Sequence, residues 1–432
     1  MDRGGENKDV YQKQWQLQPE SEYRFELDPG KSLAIKLVRG YAEIFGAELA
    51  EGKTYLFGQE CKAAIYTWQG CTIEMSPMFF SRACVTYVTG QPSVEYLSDE
   101  TPMSAYANVH VALEQMRIRA LAAATGEPLP DEEGAEGPSE APRVLVLGPE
   151  NSGKTSVCKI LTNYTIRGGE DWAPMYVNVD PSEVRFVDLL LVRCAQAMHG
   201  ADIVFGAQGG WAVPGAVAAA AITAPLQTAT AASPLGAVVT SAPNHVSSNG
   251  LLPLSYWYGH AEMKRNPLLM ERLIRNLGEN IRDRWEHDVP GRSAGLIVDT
   301  PSALAASSGS GSDHRLTMIK ACVDAFHINV ILIVGHEKLN VEMQRTYGKR
   351  ITVVKIPKSG GVVELDQLYR LRVHKYQLHN YFYGHLIEPP SGLTSKGYIQ
   401  AGEQTPELTM HLSPSSMVVN FADLTIYRIG EG

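Results

Sequence analysis

Between about Trp15 and Pro102 apolar and polar residues alternate in short runs. In SLAIKLV, Leu33, Ile35 and Leu37 share one face, and in KAAIYTW, Ala64, Tyr66 and Trp68 do the same. Gln69-Gly70 then turns the chain into CTIEM, a pattern that predicts a hairpin. Several short strands at this spacing predict a small all-β sandwich over 17–102, behind a polar tail, 1–16. Pattern alone gives such a module no more than a docking or stabilising role. The period then changes. In AYANVHVALEQMRIRALAAA, Val109, Leu113, Met116 and Ala120 fall on one helical stripe. The helix runs into TGEPLPDEEGAEGPSEAPR, residues 125–143, an acidic Pro/Gly-rich linker, so 103–143 connects two folded units.

Beyond the linker, VLVLG (144–148) has the length and branching of a buried parallel strand, and TSVCKILTNYTI follows as an amphipathic helix. Further β-like runs are MYVNVD (175–180), GLIVD (295–299), INVILIVG (328–335) and RITVVKIP (350–357). Helical stretches at 269–285 and 314–326 lie between them. Strands alternating with helices predict an α/β domain with a parallel sheet, 144–384. After Tyr383 the texture returns to loops and short strands, and 385–432 reads as a small, incomplete C-terminal β domain.

Composition narrows the function classes. The 432 residues are 44% hydrophobic and 20% charged, with 38 Lys and Arg against 47 Asp and Glu, a formal net charge of −9. Mild acidity argues against coating nucleic acid through bulk positive charge, while leaving room for a local basic groove. Cys61, Cys71, Cys84, Cys158, Cys194 and Cys322 are scattered, without a C-x-x-C pair. That suits reduced thiols better than a disulfide framework or a zinc site. The polar N-terminus has no apolar core of a secretory signal, and no run approaches the roughly 18 apolar residues of a spanning helix. The expectation is a soluble intracellular protein without a membrane partner.

The chemistry sits at 148–155, where Gly148-Pro149-Glu150-Asn151-Ser152-Gly153-Lys154-Thr155 fits G-x-x-x-x-G-K-[ST] without a mismatch. A strand ends before it and a helix opens with it, the context in which backbone N–H groups curl around phosphate oxygens. Lys154 then reaches the β/γ phosphates, and the Thr155 hydroxyl ligates Mg²⁺. The expected nucleotide-binding set is Gly148, Asn151, Ser152, Gly153, Lys154, Thr155 and Ser156, with ATP and Mg²⁺ as cofactors. A carboxylate near the metal comes from Asp180 in YVNVDPSE or Asp299 in LIVDTPS, both at strand ends. Either serves as a metal anchor or as a base toward an acceptor hydroxyl, and either equally caps a following helix. The basic residues Lys264, Arg265, Arg272 and Arg275 are interleaved with Glu262, Glu271 and Glu279, a solvated helix face rather than an anionic channel. The basic and aromatic segment 367–384 reads as a surface helix or as a lid over phosphates.

Taken in order, these segments resemble the polynucleotide 5′-hydroxyl-kinase-fold subunit of the mRNA cleavage and polyadenylation machinery, the Clp-one family. The resemblance rests on ESEYRFEL (20–27), YAEIFGAELA (41–50), AIYTWQGCTIE (64–74), TPMSAYANVHVALEQMR (101–117), GPENSGKTSVCKILTNY (148–164), PKSGGVVE (357–364) and NYFYG (380–384). It implies an N-terminal β-sandwich, a central P-loop domain and a small C-terminal domain. It also implies that Glu22 and Lys62 contact the base of the nucleotide.

Departures from the family pattern touch the transfer chemistry. Kinase-active relatives carry a Trp where this chain has Ala303, and two lid arginines where it has His374 and His379. A histidine lacks the planar five-donor fork of arginine and is mostly neutral at pH 7. Such an arginine is worth on the order of 10³-fold in rate. A Thr-Pro-Gly-Thr-Asn clasp is replaced by EMKRN (262–266). The family spacing after Asp180 is interrupted by 25 residues, VRFVDLLLVRCAQAMHGADIVFGAQ (184–208), before GGWAVPG (209–215). A retained intron of whole codons explains that spacing, and a message that always contains these codons would defeat the idea.

The resulting expectation is a nuclear, ATP-binding structural subunit of the pre-mRNA cleavage factor, required for the endonucleolytic step of polyadenylation-dependent 3′-end formation. Its partners would be the scaffold subunit that binds the polymerase C-terminal tail and other cleavage-factor subunits, with direct RNA contact left open. The alternative is an active polynucleotide 5′-hydroxyl kinase with Asp180 as base. The segments outside the P-loop disfavour a small-metabolite kinase.

Overall fold

The computed structural model describes residues 13–28, 32–58, 62–76, 78–80, 85–87, 91–126, 139–168, 172–181, 216–221, 254–260, 262–306, 312–365 and 368–369. Eleven of the described strands precede the first helix: β1 (Lys13–Leu17), β2 (Ser21–Glu26), β3 (Ser32–Gly40), β4 (Ala42–Ile44), β5 (Ala47–Leu49), β6 (Thr54–Gly58), β7 (Lys62–Thr67), β8 (Cys71–Ser76), β9 (Met78–Phe80), β10 (Val85–Tyr87) and β11 (Val94–Ser98). One sheet runs β1-β8-β3-β6 and a second runs β11-β2-β7-β4-β5, while β9 and β10 pair as a separate ribbon. Tyr23, Phe25, Ile35, Leu37, Phe57, Ile65 and Ile73 fill the space between the two sheets. This is the expected sandwich.

The expected hairpin across Gln69-Gly70 is not there. β7 pairs with β2 and β4 in one sheet, whereas β8 pairs with β1 and β3 in the other. The turn is a corner between sheets. Gly70 takes φ +90°, and Gly40, beside it, takes +93° with no room for a Cβ against the Gly70 carbonyl. The apolar stripe of β7 is also two-sided. Ala63 and Ile65 face the sandwich core, while Tyr66 and its neighbour Trp68 pack outward against a cluster containing Ile160, Leu161 and Tyr164. Since β8 crosses to the other sheet, β7 has β4 rather than β8 as its second neighbour.

The predicted helix is α1 (Met103–Thr125), ended by Gly126 in the left-handed region. Then follow β12 (Arg143–Leu147), α2 (Lys154–Arg167), β13 (Met175–Asn178), β14 (Ala216–Ala221), β15 (Leu254–Trp257), α3 (Pro267–Trp285), α4 (Val289–Ala294), β16 (Leu296–Asp299), α5 (Ser312–Phe326), β17 (Val330–Val334), α6 (Glu337–Tyr347) and β18 (Thr352–Ile356). The strand order is β15-β14-β13-β16-β12-β17-β18, with β13, β16, β12, β17 and β18 parallel and β14 and β15 antiparallel at one edge. Alternate residues serve opposite layers. Val144, Val146, Tyr176 and Ile297 pack toward α1 and α2, and Leu145, Leu147, Val177 and Val298 toward α3 and α5. Both faces of the parallel part are covered, which is why its strands read as continuous apolar runs.

EMKRN forms one turn of helix, Met263–Arg265, followed by Asn266, whose Oδ1 accepts the Leu269 N–H at 3.1 Å and caps α3. Lys264 and Arg265 therefore precede the helix rather than lie on it; both pair with Glu262, at 3.3 and 3.7 Å. Ala303 sits exposed in the one-turn segment Ser302–Leu304. The 184–208 insertion, GGWAVPG, His374, His379 and 385–432 lie outside the described residues, as does the 367–384 segment apart from Leu368 and Tyr369.

Candidate nucleotide-binding site

The loop after β12 has the shape its sequence demands. Asn151 and Gly153 take φ +50° and +88°, turning successive N–H groups to one side ahead of α2. A Cβ at Gly148 would lie 2.7 Å from the Ser152 Oγ and 3.2 Å from the Val334 carbonyl, so only glycine fits. Ser152 is 1% exposed and its Oγ has no partner among the described residues, which fits a loop shaped to receive a phosphate. Lys154 lies buried with its Nζ donating to the Pro149 carbonyl at 2.9 Å.

Of the two candidate acids, Asp299 is the one that meets the P-loop. Its Oδ2 accepts the Thr155 hydroxyl at 2.7 Å and the Tyr176 hydroxyl at 3.1 Å. It is 2% exposed. Burial pushes its carboxyl above the ordinary carboxylate range and the charge of nearby Asp180 adds to that, against the pull of Thr155, Lys154 and Tyr176. Asp180, half-buried, donates its N–H to the Asn178 Oδ1 at 2.7 Å. The sequence weighed the two acids evenly, since both end a strand. What separates them is strand order, because β16 lies directly beside β12 and β13 lies one place further out.

Among the described residues no cluster of three His, Cys, Asp or Glu side chains forms a metal cage. Mg²⁺ does not require one. It takes one or two protein oxygens together with phosphates and water, and the Thr155 hydroxyl with the Asp299 carboxylate is such a pair.

Glu22, Arg24, Glu26, Lys62 and Tyr66 share the outer face of the N-terminal sheet, by the register Glu22↔Tyr66 and Glu26↔Lys62. Glu22, 5% exposed, is ion-paired with Arg24; burial pushes its carboxyl up and Arg24 opposes this. Arg24 also donates to the Glu100 carbonyl at 2.7 Å and abuts Gly361 so closely that a Cβ there would lie 2.7 Å from Nε. Val362, next along, would meet a Cβ on Gly153 at 3.0 Å. The PKSGGVVE segment is thus wedged between the P-loop and Glu22/Arg24, and the Tyr106 hydroxyl ties its start through the Pro357 carbonyl at 2.9 Å. Lys62 stands four register positions from Glu22, roughly 13 Å along the ladder. It pairs with Glu26 at 2.8 Å and lies over the Tyr369 ring at 5.6 Å. Arg24 and Tyr176 had no motif to announce them.

Comparison with known proteins agrees with the fold. The N-terminal beta-sandwich domain of polyadenylation factor matches residues 16–120, and the mRNA cleavage and polyadenylation factor CLP1 P-loop family matches residues 206–384. The mRNA cleavage and polyadenylation factor CLP1 of Laccaria bicolor is 59% identical over 418 residues, covering 97% of this chain and 77% of the relative. The chain belongs to the CLP1 family. The CLP1 of Coccidioides immitis is 34% identical over 432 residues, covering 95% of this chain and 67% of its own length. Among solved structures, a wild-type Clp1p–Pcf11p complex superposes with TM-score 0.63 at 22% identity, covering 88% of this chain and 74% of that one. A second Clp1p–Pcf11p structure, described as explaining ATP loss in a glycine-to-arginine point mutant, gives 0.62. These structural likenesses carry the CLP1 fold. No described helix is long and apolar enough to cross a membrane.

Proposed function

We propose that this CLP1-family chain is an ATP-holding structural subunit of the nuclear pre-mRNA cleavage factor, binding ATP with Mg²⁺ rather than turning it over. The observation that supports nucleotide binding is the contact of Thr155 with Asp299 behind the phosphate cradle, and the replaced transfer residues support holding over turnover. In this assignment Gly148, Asn151, Ser152, Gly153, Lys154, Thr155 and Ser156 hold the phosphates, Thr155 and Asp299 hold Mg²⁺ with Asp180 behind them, and Glu22 and Lys62 contact the base. Bound Mg²⁺ would neutralise part of the phosphate charge. The protein's own residues orient the tail and, through PKSGGVVE, tie the nucleotide site to the N-terminal sheet. A ligand at about 100 times its Kd adds about 2.7 kcal/mol of stability, so retained ATP would cement the two units.

Ala303, exposed after β16, offers no ring for a base to stack on, in keeping with a site that stores its nucleotide. The partners we assign are a scaffold subunit of the cleavage factor that also binds the polymerase tail, and the other cleavage-factor subunits. That assignment is supported by the Clp1p–Pcf11p complexes formed by proteins of the same fold. The organisation follows the same reading: sandwich 17–102, connector 103–143, P-loop domain 144–384 and C-terminal β domain 385–432.

Mass analysis of the nucleotide that co-purifies with the full chain, followed by incubation with a 5′-hydroxyl RNA oligonucleotide, tests it. Intact ATP without transfer of the γ-phosphate is the expected result. Transfer that Lys154→Ala abolishes would replace this reading with the 5′-hydroxyl kinase.

A further inference from the structure

The end of β13 holds two buried N–H groups to which the site as assigned gives no part. Asn178 is 1% exposed, and its Oδ1 accepts the Asp180 N–H at 2.7 Å. That bond fixes the orientation of the amide, since only the oxygen can accept. Nδ2 is left with two donors and no partner among the described residues. Native proteins leave few buried donors unpaired, and one beside a ligand cradle points to an acceptor that arrives with the ligand.

The surroundings say which kind of acceptor. Asn178 stands opposite Asp299 in the parallel register of β13 and β16. Side chains alternate along strands, so Tyr176, Asn178 and Asp299 share the face toward α2. The Asp299 Oδ2 is already occupied by Thr155 and Tyr176. An amide N–H repels cations and binds oxygens that carry lone pairs. The oxygen-rich group that a loop of this kind would draw here is a phosphate tail, which the loop N–H groups and Lys154 would hold. A nucleotide whose inner phosphates sat in the cradle after β12 would have Thr155 and then the ends of β16 and β13 next to the outer end of its tail.

We propose that Asn178 is a further nucleotide-contact residue, its Nδ2 donating to an oxygen of the terminal phosphate group, so that the site prefers a nucleoside triphosphate over a diphosphate. The proposal rests on the nucleotide reading above. Its chemistry is apt for a holding site. Asp180 and Asp299 already bring two carboxylates to this end of the sheet, and a third would repel the phosphates, whereas an amide adds a donor without charge.

Calorimetric titration of the full chain, stripped of nucleotide, with MgATP and MgADP tests the proposal. Asn178→Ala is expected to weaken ATP about tenfold while changing ADP less than twofold, and Asn178→Asp to weaken ATP further. The ATP-to-ADP ratio within each variant is an internal control, because a misfolded protein loses both ligands together. A second variant, Asn178→Ser, keeps a donor and is expected to fall between wild type and Asn178→Ala in that ratio. Equal weakening of ATP and ADP, as a merely structural amide would give, overturns the Asn178 assignment and leaves the nucleotide reading standing. A wild-type chain that binds neither nucleotide overturns both.

Discussion

Glu43 of the N-terminal sheet accepts a hydrogen bond from Arg167, the last residue of the helix that starts at the P-loop, at 2.7 Å. The same carboxylate, 3% exposed, also accepts from the Tyr164 hydroxyl. The link is reinforced where Asn163 donates to the Phe45 carbonyl and Arg167 to the Gly46 carbonyl, each at 2.7 Å. The turn between β4 and β5 therefore grips α2 through its last residues, and α2 carries Lys154 and Thr155 at its other end.

Glu43→Gln should lower stability by about 3 kcal/mol, the usual cost of breaking a buried pair. Arg167→Met should cost less, because Arg167 is 28% exposed and water replaces part of its interaction. Urea unfolding of the two single variants and the double measures both. A double variant equal to the sum of the singles would show that the pair is not coupled.

Thr155 and Asp299 form one unit, so Thr155→Val and Asp299→Asn should each weaken MgATP by tenfold or more. Each should also flatten the dependence of binding on Mg²⁺ concentration. Asp180→Asn should have a smaller effect, since Asp180 stands on the strand one place further from the P-loop. Titration of ATP at several Mg²⁺ concentrations separates the two acids, and a larger loss at Asp180 would reverse their assignment.

Glu22→Ala and Lys62→Ala should loosen bound ATP and lower the melting temperature. Unchanged retention and melting would remove the two residues from the base site. Glu22 is held by Arg24 and Lys62 by Glu26, so each substitution also strands a charged partner. Melting measured with and without nucleotide distinguishes that structural cost from lost ligand contact.

His110 lies beside the Tyr164 ring, with Arg117 and Arg167 facing it and Glu114 opposing them. Burial first, and then the arginines, push it down to about 4 from its ordinary 6.5. The folded protein therefore keeps His110 neutral while the unfolded chain takes up a proton below about pH 6.5, so stability falls as pH drops from about 6.5 toward 4. His327, lowered by burial and by Arg143 and Arg282, acts in the same direction. His110→Phe should make melting temperature less sensitive to pH in that window; an unchanged slope would assign the effect to other groups.

How much was legible varies with the range of the interaction. Periodicity placed α1, α3 and α5 and the parallel strands to within a few residues, because each buries a face that its own side chains define. The Gln69-Gly70 turn is ambiguous in sequence because a glycine turn looks alike whether the next strand stays in the sheet or, as here, crosses to the other. The stripe of Ala64, Tyr66 and Trp68 was visible, but its destination depended on a helix about a hundred residues away.

The phosphate cradle is legible in eight consecutive residues, since its glycines, lysine and threonine act through backbone shape and spacing. Periodicity likewise places α1, α2, α3, α5 and the five parallel strands, but not the antiparallel edge strands β14 and β15 or the helices α4 and α6. That Asp299 rather than Asp180 meets Thr155, that the Asn178 Nδ2 has no partner among the described residues, and that Glu43 grips the end of α2 were settled by the fold. Those facts depend on which strands become neighbours, and neighbours are chosen by the burial of whole faces, a property that no local pattern contains.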